Sequence, residues 1–108
     1  MEHTILDRAL ARLNHNSDWL YALAEKLWDS PELGFFEFKT ADILVSELEA
    51  LGLSPRTGIA RTGVAAELGG KDDPKVLLLA DMDALPRQTT PGGNVQACEH
   101  HAKMAVML

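Results

Sequence analysis

The sequence predicts an α/β fold whose sheet is incomplete within this chain. Apolar residues recur three and four apart in the first half, which is the spacing of amphipathic helices. Short segments with the pattern of strands follow, and then a continuous apolar run, "KVLLLA", at residues 75–80. At 108 residues the chain is at most one small domain.

Two helices are predicted first, over residues 4–29 and 37–51. In the first, polar "NHNSD" at residues 14–18 kinks or splits the helix, and Ser30 before Pro31 ends it because a residue preceding proline disfavours helical geometry. Gly52 ends the second helix. The apolar stripe of the first comprises Leu6, Leu10, Leu13, Leu20, Leu23, Ala24 and Leu27. The predicted buried face of the second comprises Phe38, Ala41, Val45 and Leu48, widened by Ile43, Leu44 and Leu51.

Strands are predicted next. The segments "LSPRTGIA" and "GVAAELGG" indicate two short strands joined by a glycine-containing turn. The run at 75–80 is expected to be a central strand covered on both faces, because it has no polar alternation. Residues 81–97, which include "PRQTTPGG", are expected to be mostly loop, followed by a short helix over about 101–108.

Composition argues against several classes of partner. The net charge is −6 and no Lys/Arg cluster occurs, which argues against a nucleic-acid partner. No apolar run reaches about 18 residues, so no membrane span is expected. The start, "MEHTILDRAL", is unlike a secretory signal. The single cysteine, Cys98, fits a reducing compartment, and a cytoplasmic location is predicted.

Two aspartates mark a candidate site. Asp81 and Asp83 directly follow the predicted strand at 75–80, and residues two apart in an extended segment point to the same side. Ligands of open α/β sheets bind beyond the carboxyl ends of the strands. From this pattern alone, a solvated turn with an aspartate capping a loop is equally consistent.

The stretch "ACEHH" offers a second candidate. A thiolate from Cys98 and an imidazole from His100 form a good ligand pair for zinc and similar divalent metals. Residues two apart do not face each other on a helix, so the pair can share a metal only if "CEH" is extended or turning. His101 would then point elsewhere, supporting the ligands or acting in catalysis. A buried structural cysteine beside surface histidines, or a nucleophilic cysteine, is also consistent with these residues.

Five motifs occur in one order: "WDSPELGFFEFKTA", "LEALGL", "TGIARTGVAAELGG", "VLLLADMDALP" and "ACEHHAKMAVML". Together they closely resemble the N-terminal part of the metal-dependent amidohydrolases of the aminoacylase, hippurate-hydrolase and auxin-conjugate-hydrolase group, within the zinc-peptidase superfamily related to carboxypeptidase G. The resemblance implies a three-layer α/β/α catalytic domain, of which residues 1–108 are an incomplete N-terminal portion. It also implies a dimerisation domain, absent from this chain, and a homodimer in a full-length parent.

The resemblance further implies a site. Members cleave amide bonds of N-acyl amino acids with a divalent metal pair, Mn²⁺ or Zn²⁺. Cys98 and His100 match the metal-binding Cys and His of the group's "H-A/S-C-G-H" motif, and Asp81 and Asp83 match aspartates that support the metal. The general base and the remaining ligands are expected beyond Leu108.

Three positions depart from the group's pattern. Gln96 stands where the motif has its first histidine, Glu99 where it has glycine, and Leu79 where the strand commonly has arginine. Glycine at the second position permits a positive φ, so Glu99 puts the loop geometry in question, although its carboxylate offers compensation near a cation.

Two functions from different classes follow. The parent protein is predicted to be a metal-dependent hydrolase of a small N-acyl amino acid or peptide-like substrate, with this chain carrying part of the site and showing no turnover alone. Alternatively, the chain is an inactive truncated product that acts as an association module through its open sheet and apolar tail, "MAVML". A thiol redox role has little support, because no resolving cysteine exists.

Overall fold

The computed structural model describes residues 4–86 and 93–108. Within them the chain forms a small mixed helix-and-sheet domain, compatible with the α/β class. Four helices and four short strands follow one another in this order: α1 (Ile5–His15), α2 (Ser17–Trp28), α3 (Phe38–Ala50), β1 (Arg56–Ile59), β2 (Gly63–Ala65), β3 (Leu85–Pro86), β4 (Asn94–Val95) and α4 (His100–Met107).

Local signals located the helices correctly. The first predicted helix is two helices that meet at Asn16, inside the polar stretch that was expected to kink or split it. Thr4 and Asp7 form a capping box at the start of α1, in which the Thr4 hydroxyl accepts from the Asp7 amide. Helix α3 ends as predicted before Gly52, whose φ is +83°.

The core lies between three helices. Its fully or nearly fully buried side chains come from α2, α3 and α4: Leu23, Leu27, Ile43, Leu44, Met104 and Ala105. The indole Nε1 of Trp19 donates to Glu47 Oε2 at 2.9 Å, which links α2 to α3 at the margin of this core. These contacts fix the start of α4, where His100 is located.

The buried face of α3 is centred differently from the prediction. Thr40, Ile43 and Leu44 are buried, whereas Phe38, predicted to line the face, is 50% exposed. Thr40 can occupy the interior because its hydroxyl donates to Glu32 Oε1 at 2.8 Å. A polar residue with an internal partner therefore replaces part of the expected apolar stripe.

The predicted central strand at 75–80 is wrong in this structure. These residues have no regular secondary structure, and the side chains of Val76, Leu77, Leu78 and Leu79 are 67–89% exposed. A doubly covered strand needs pairing strands at its edges and helices on both faces. No segment within the described ranges provides either, so those ranges do not form the three-layer sheet.

The strands instead form two separate antiparallel pairs. In the first, β1 pairs with β2 through Arg56 opposite Ala65 and Ile59 opposite Gly63, with an irregular register between. This confirms the predicted hairpin, although the strands are shorter than expected. Gly63 is required, because a Cβ there would lie 2.6 Å from the Ile59 carbonyl oxygen.

The second pair lies within residues 81–97, whose described part is mostly loop as predicted apart from these two short strands. Strand β3 pairs with β4, Leu85 opposite Val95 and Pro86 opposite Asn94. Each strand has only two residues, too few to show the alternation of apolar and polar residues that predicts a strand. The sequence therefore did not indicate β3 or β4. The part of the predicted loop at 87–92 lies outside the described residues.

Helix α1 has an apolar stripe but no buried residue. Leu6, Leu10 and Leu13 are 50–66% exposed. The radius of gyration is 15.8 Å, compared with about 13 Å for a compact chain of 100 residues, in keeping with elements that lie away from the core.

None of the helices in the described part of the chain is long and apolar enough to cross a bilayer.

Candidate metal centre

The segment Asp81–Ala84 lies against the loop between α2 and α3. The Ala84 amide donates to the Glu32 carbonyl oxygen at 2.7 Å, and Ala84 itself is 4% exposed. The Cβ of Asp83 lies close to Gly34, where an added Cβ would be 4.0 Å away. The loop therefore holds the backbone of Asp83 and leaves the two aspartate side chains accessible.

His100, the first residue of α4, faces both aspartates. Its Nδ1 lies 2.9 Å from the Asp83 carbonyl oxygen and 3.0 Å from Asp83 Oδ1. Its Nε2 lies 3.7 Å from Asp81 Oδ2. The His100 side chain is 13% exposed, whereas those of Asp81 and Asp83 are 75% and 41% exposed. The structure thus brings together three of the residues that the sequence singled out.

This arrangement is suited to a metal-binding histidine. A carbonyl oxygen can only accept, so Nδ1 of His100 donates to it, and in the neutral ring Nε2 then directs a lone pair toward Asp81 that a metal could bind. Histidine ligands characteristically donate their other ring N–H to a carbonyl or carboxylate. The Asp81 carboxylate, with Oδ2 3.7 Å from Nε2, would add negative charge beside an ion held there.

Cys98 lies in the turn before α4, is exposed and forms no disulfide. Helix α4 begins at His100, so Cys98 lies outside the helix. This meets the condition that Cys98 and His100 could share a metal only if "CEH" is not helical. In the described residues, the hydrogen bonds and ion pairs of His100 run to the two aspartates, and none of them involves the Cys98 sulfur. Over the same ranges, no three His, Cys, Asp or Glu side chains are placed so that they could hold a metal ion together. The donor chemistry fits a metal, but the geometry provides only part of a site.

Glu99 adopts the left-handed conformation that glycine would favour. Its φ and ψ are +58° and +23°, and it is the residue immediately before α4. A glycine at this position of the motif would permit this positive φ, as expected from the sequence. Glu99 makes the turn without glycine, at the strain cost that a side chain incurs there.

Gln96 and His101 face the helices rather than the aspartates. Gln96 is 3% exposed, and its Nε2 donates to the Leu27 carbonyl oxygen at 3.4 Å. The ring of His101 packs edge-on against Trp28, with centroids 4.8 Å apart. Gln96 Oε1 and His101 Nδ1 are buried without a hydrogen-bond partner. Both residues act here in packing around α2.

The nucleophilic-cysteine interpretation gains no support from these contacts. A thiol nucleophile needs a base within hydrogen-bonding reach and a group that orients that base. The imidazole nearest in sequence, His100, is oriented by Asp83 but directed toward Asp81. The arrangement favours a ligand role for this histidine.

Sequence reasoning missed the acidic residues in "PELGFFE", which it treated as a short link. Glu32 accepts hydrogen bonds from the first turn of α3, and Glu37, buried, accepts from the Thr62 hydroxyl at 2.6 Å. A usable signal was present, because acidic residues just before a helix commonly accept from its free amides. These contacts place the loop on which Asp83 and Ala84 rest.

Comparison with curated proteins finds hydrolases. The chain is 36% identical over 99 residues to IAA-amino acid hydrolase ILR1-like 2 of Arabidopsis thaliana, covering 84% of this chain and 23% of that protein. It is 32% identical over 101 residues to thermostable carboxypeptidase 2 of Saccharolobus solfataricus, covering 84% and 26%. It is 40% identical over 67 residues to hippurate hydrolase of Campylobacter jejuni, covering 61% and 18%.

The chain therefore spans about a quarter of the length of the first relatives that it matches. No protein-family model matches it, and no solved structure gives a significant match.

Proposed function

Because the chain is a homologue of these amino-acid-conjugate hydrolases and carboxypeptidases, we propose that it is part of a longer metal-dependent hydrolase that cleaves amide bonds. The observation that carries the proposal is the position of His100, with Nδ1 on Asp83 and Nε2 toward Asp81. The chain contributes one side of the metal site, and the remaining ligands and the general base come from residues outside it.

Each site residue has a role in this proposal. Cys98 and His100 hold the metal through a thiolate and a neutral imidazole, a combination suited to Zn²⁺ and also open to Mn²⁺. Asp83 fixes the tautomer and orientation of His100. Asp81 adds negative charge beside Nε2, and the exposed Glu99 adds more at the turn. A bound divalent ion supplies Lewis acidity and lowers the pKa of water.

The substrate class follows from the relatives. Two of them are named for IAA–amino acid and hippurate hydrolysis, and a third is a carboxypeptidase. Small N-acyl amino acids or peptide-like amides are therefore the proposed substrates, and a homodimer is the proposed assembly of the full-length parent. Residues 1–108 alone should show no turnover, because a catalytic metal usually has three protein ligands and the water needs a base.

Metal binding tests the proposal directly. We expect calorimetric titration with Zn²⁺ or Mn²⁺ to show binding that His100→Ala weakens strongly. His15→Ala, at the exposed end of α1, is the matched control and should leave binding unchanged. Equal affinity in the two variants would remove His100 from the site. Turnover of N-acetyl or N-benzoyl amino acids by residues 1–108 alone would refute the partial-site proposal.

A second candidate function rests on a different observation. The uncovered run Val76–Leu79 is apolar, and exposed apolar segments without strand partners tend to pair with other chains. In this candidate, the chain is catalytically inactive and acts as an association module. Metal-independent, concentration-dependent assembly with no zinc or manganese binding would favour it over the hydrolase.

A further inference from the structure

The loop between α2 and α3 holds the segments that flank the site through its backbone carbonyls. The Pro31 carbonyl accepts from Asn94 Nδ2 at 3.3 Å, and the Glu32 carbonyl accepts from the Ala84 amide at 2.7 Å. Just before the loop, the Leu27 carbonyl accepts from Gln96 Nε2. The position of this loop therefore determines where the β3 and β4 segments lie.

The Glu32 carboxylate anchors the loop to α3. Its Oε1 accepts from the Thr40 amide at 2.6 Å and from the Thr40 hydroxyl at 2.8 Å, and its Oε2 accepts from the Lys39 amide at 3.1 Å. These are amides of the first turn of α3, and the residue preceding that helix, Glu37, makes no side-chain capping bond. Glu32 thus caps α3 from six residues before its start, with charge-assisted bonds.

One peptide group connects this anchor to His100. The carbonyl of Asp83 and the amide of Ala84 belong to the same planar unit. The amide end donates to the Glu32 carbonyl, and the carbonyl end accepts from His100 Nδ1 at 2.9 Å. Because the unit is rigid, a rotation that breaks one bond also disturbs the other. Donation by the amide also polarises the carbonyl and strengthens its bond to the imidazole.

We propose that Glu32 is a positioning residue for the Asp83–His100 pair. Its carboxylate fixes the loop whose carbonyl orients the Asp83–Ala84 peptide, and that peptide, together with the Asp83 carboxylate that it carries, sets the tautomer and direction of the His100 ring. The effect on metal affinity rests on the proposed function, whereas the effect on the His100 tautomer does not. Glu32 touches neither metal nor substrate in this scheme.

The test uses Glu32→Gln, which keeps the side chain's size but removes its charge and presents an NH₂ group to one of the α3 amides. The matched control is Glu49→Gln, on the exposed side of the same helix. Two measurements are made on the metal-free chain: ¹⁵N chemical shifts of the His100 ring, which report its tautomer, and hydrogen exchange of the Ala84 amide. Zinc affinity is measured separately.

In Glu32→Gln we expect the Ala84 amide to exchange roughly tenfold faster and the His100 ring to become a mixture of tautomers. Zinc affinity should fall by up to roughly 10-fold, the lower end of the effect of losing a direct partner of a metal-binding histidine, because Glu32 acts through the peptide. Glu49→Gln should match the wild type in all three. If Glu32→Gln does not fold, Thr40→Val, which removes the hydroxyl's bonds to Glu32 Oε1 and to the Ser30 carbonyl, should show smaller changes of the same sign.

A merely structural role would give a different pattern. Leu23→Val, in the core of α2, serves as a variant destabilised by another route. If Glu32→Gln lowers the melting temperature as Leu23→Val does, but keeps the wild-type His100 tautomer and Ala84 exchange, the positioning role is overturned. If the tautomer changes but the wild-type chain binds no zinc, the positioning role stands and the hydrolase proposal fails.

Discussion

Helices α1 and α2 have similar apolar spacing but opposite burial. In α2, Leu23 and Leu27 are 3% and 0% exposed, because α3 and α4 cover that face. In α1, Leu10 and Leu13 are 50% and 52% exposed, and no element of the described ranges covers them. The difference shows that three-and-four spacing predicts the helix, whereas burial depends on a partner that the helix itself does not encode.

The same contrast separates two apolar segments near the site. Met104 and Ala105 of α4 are 1% and 2% exposed because they meet the α2 face. Leu77 and Leu79, in an equally apolar run, are 78% and 83% exposed. Of the candidate site residues, Asp81 and Asp83 follow the uncovered run, whereas His100 begins the packed helix α4.

The largest expected effect is on stability, and it should differ between the leucines of α2 and those of α1. Leu27→Ala should lower the free energy of unfolding by about 2–5 kcal/mol, because it leaves a cavity in the core. Leu10→Ala should change it by less than about 0.5 kcal/mol, because that side chain is half exposed. Urea denaturation followed by circular dichroism measures both. Similar losses in the two variants would show that α1 is buried in solution.

A substitution in the uncovered run Val76–Leu79 is expected to have little effect on stability but a clear effect on self-association. Leu77→Lys should reduce the self-association of the chain, since it places a charge in an unpaired apolar segment, and should alter the free energy of unfolding by less than about 0.5 kcal/mol. Leu68→Lys, at a single exposed leucine outside the run, is the control and should not affect association. Light scattering across a concentration series distinguishes them, and equal behaviour would contradict the assignment of the run as the associating surface.

The smallest effect concerns the start of α1. The Thr4 hydroxyl, and next the Thr4 backbone amide, donate to Asp7 and hold the pKa of its carboxyl below the usual 3.8. A lowered pKa means that the carboxylate stabilises the helix start at pH values above 3.8 and that this contribution is lost as pH falls through the lower, folded-state pKa.

Thr4→Ala should therefore raise the pKa of Asp7 toward 3.8 and reduce the acid sensitivity of α1. Carboxyl-detected NMR titration gives the pKa, and Thr57→Ala, in β1, is the control that should leave it in place. An unchanged Asp7 titration in Thr4→Ala would show that the capping box does not form in solution.

The sequence predicted what depends on neighbours along the chain. The break near Asn16 and the end of α3 at Gly52 follow from residue types whose backbone preferences act locally. The buried face of α3 could not be predicted from apolar spacing. Thr40 is buried because its hydroxyl binds the carboxylate of Glu32, eight residues earlier, and the spacing of apolar residues does not identify that partner. The run at 75–80 was misassigned because an apolar segment becomes a strand only with strands beside it.

The candidate site shows the same division. Asp81, Asp83 and His100 were identified from the strand-end argument and the resemblance together, and they lie in contact. The Glu32–Ala84 bond was not foreseen, because it joins two backbone groups, and backbone groups carry no sequence signature.

The central claim, that Cys98 and His100 bind one metal ion, is tested most directly by titrating the chain with Co²⁺ and recording its absorption spectrum. We predict a saturable thiolate-to-cobalt charge-transfer band that disappears in Cys98→Ser and is lost or strongly weakened in His100→Ala, because a hydroxyl and a methyl group cannot replace these ligands. A band that persists in Cys98→Ser, or a wild-type chain that takes up cobalt without the band, would contradict the claim.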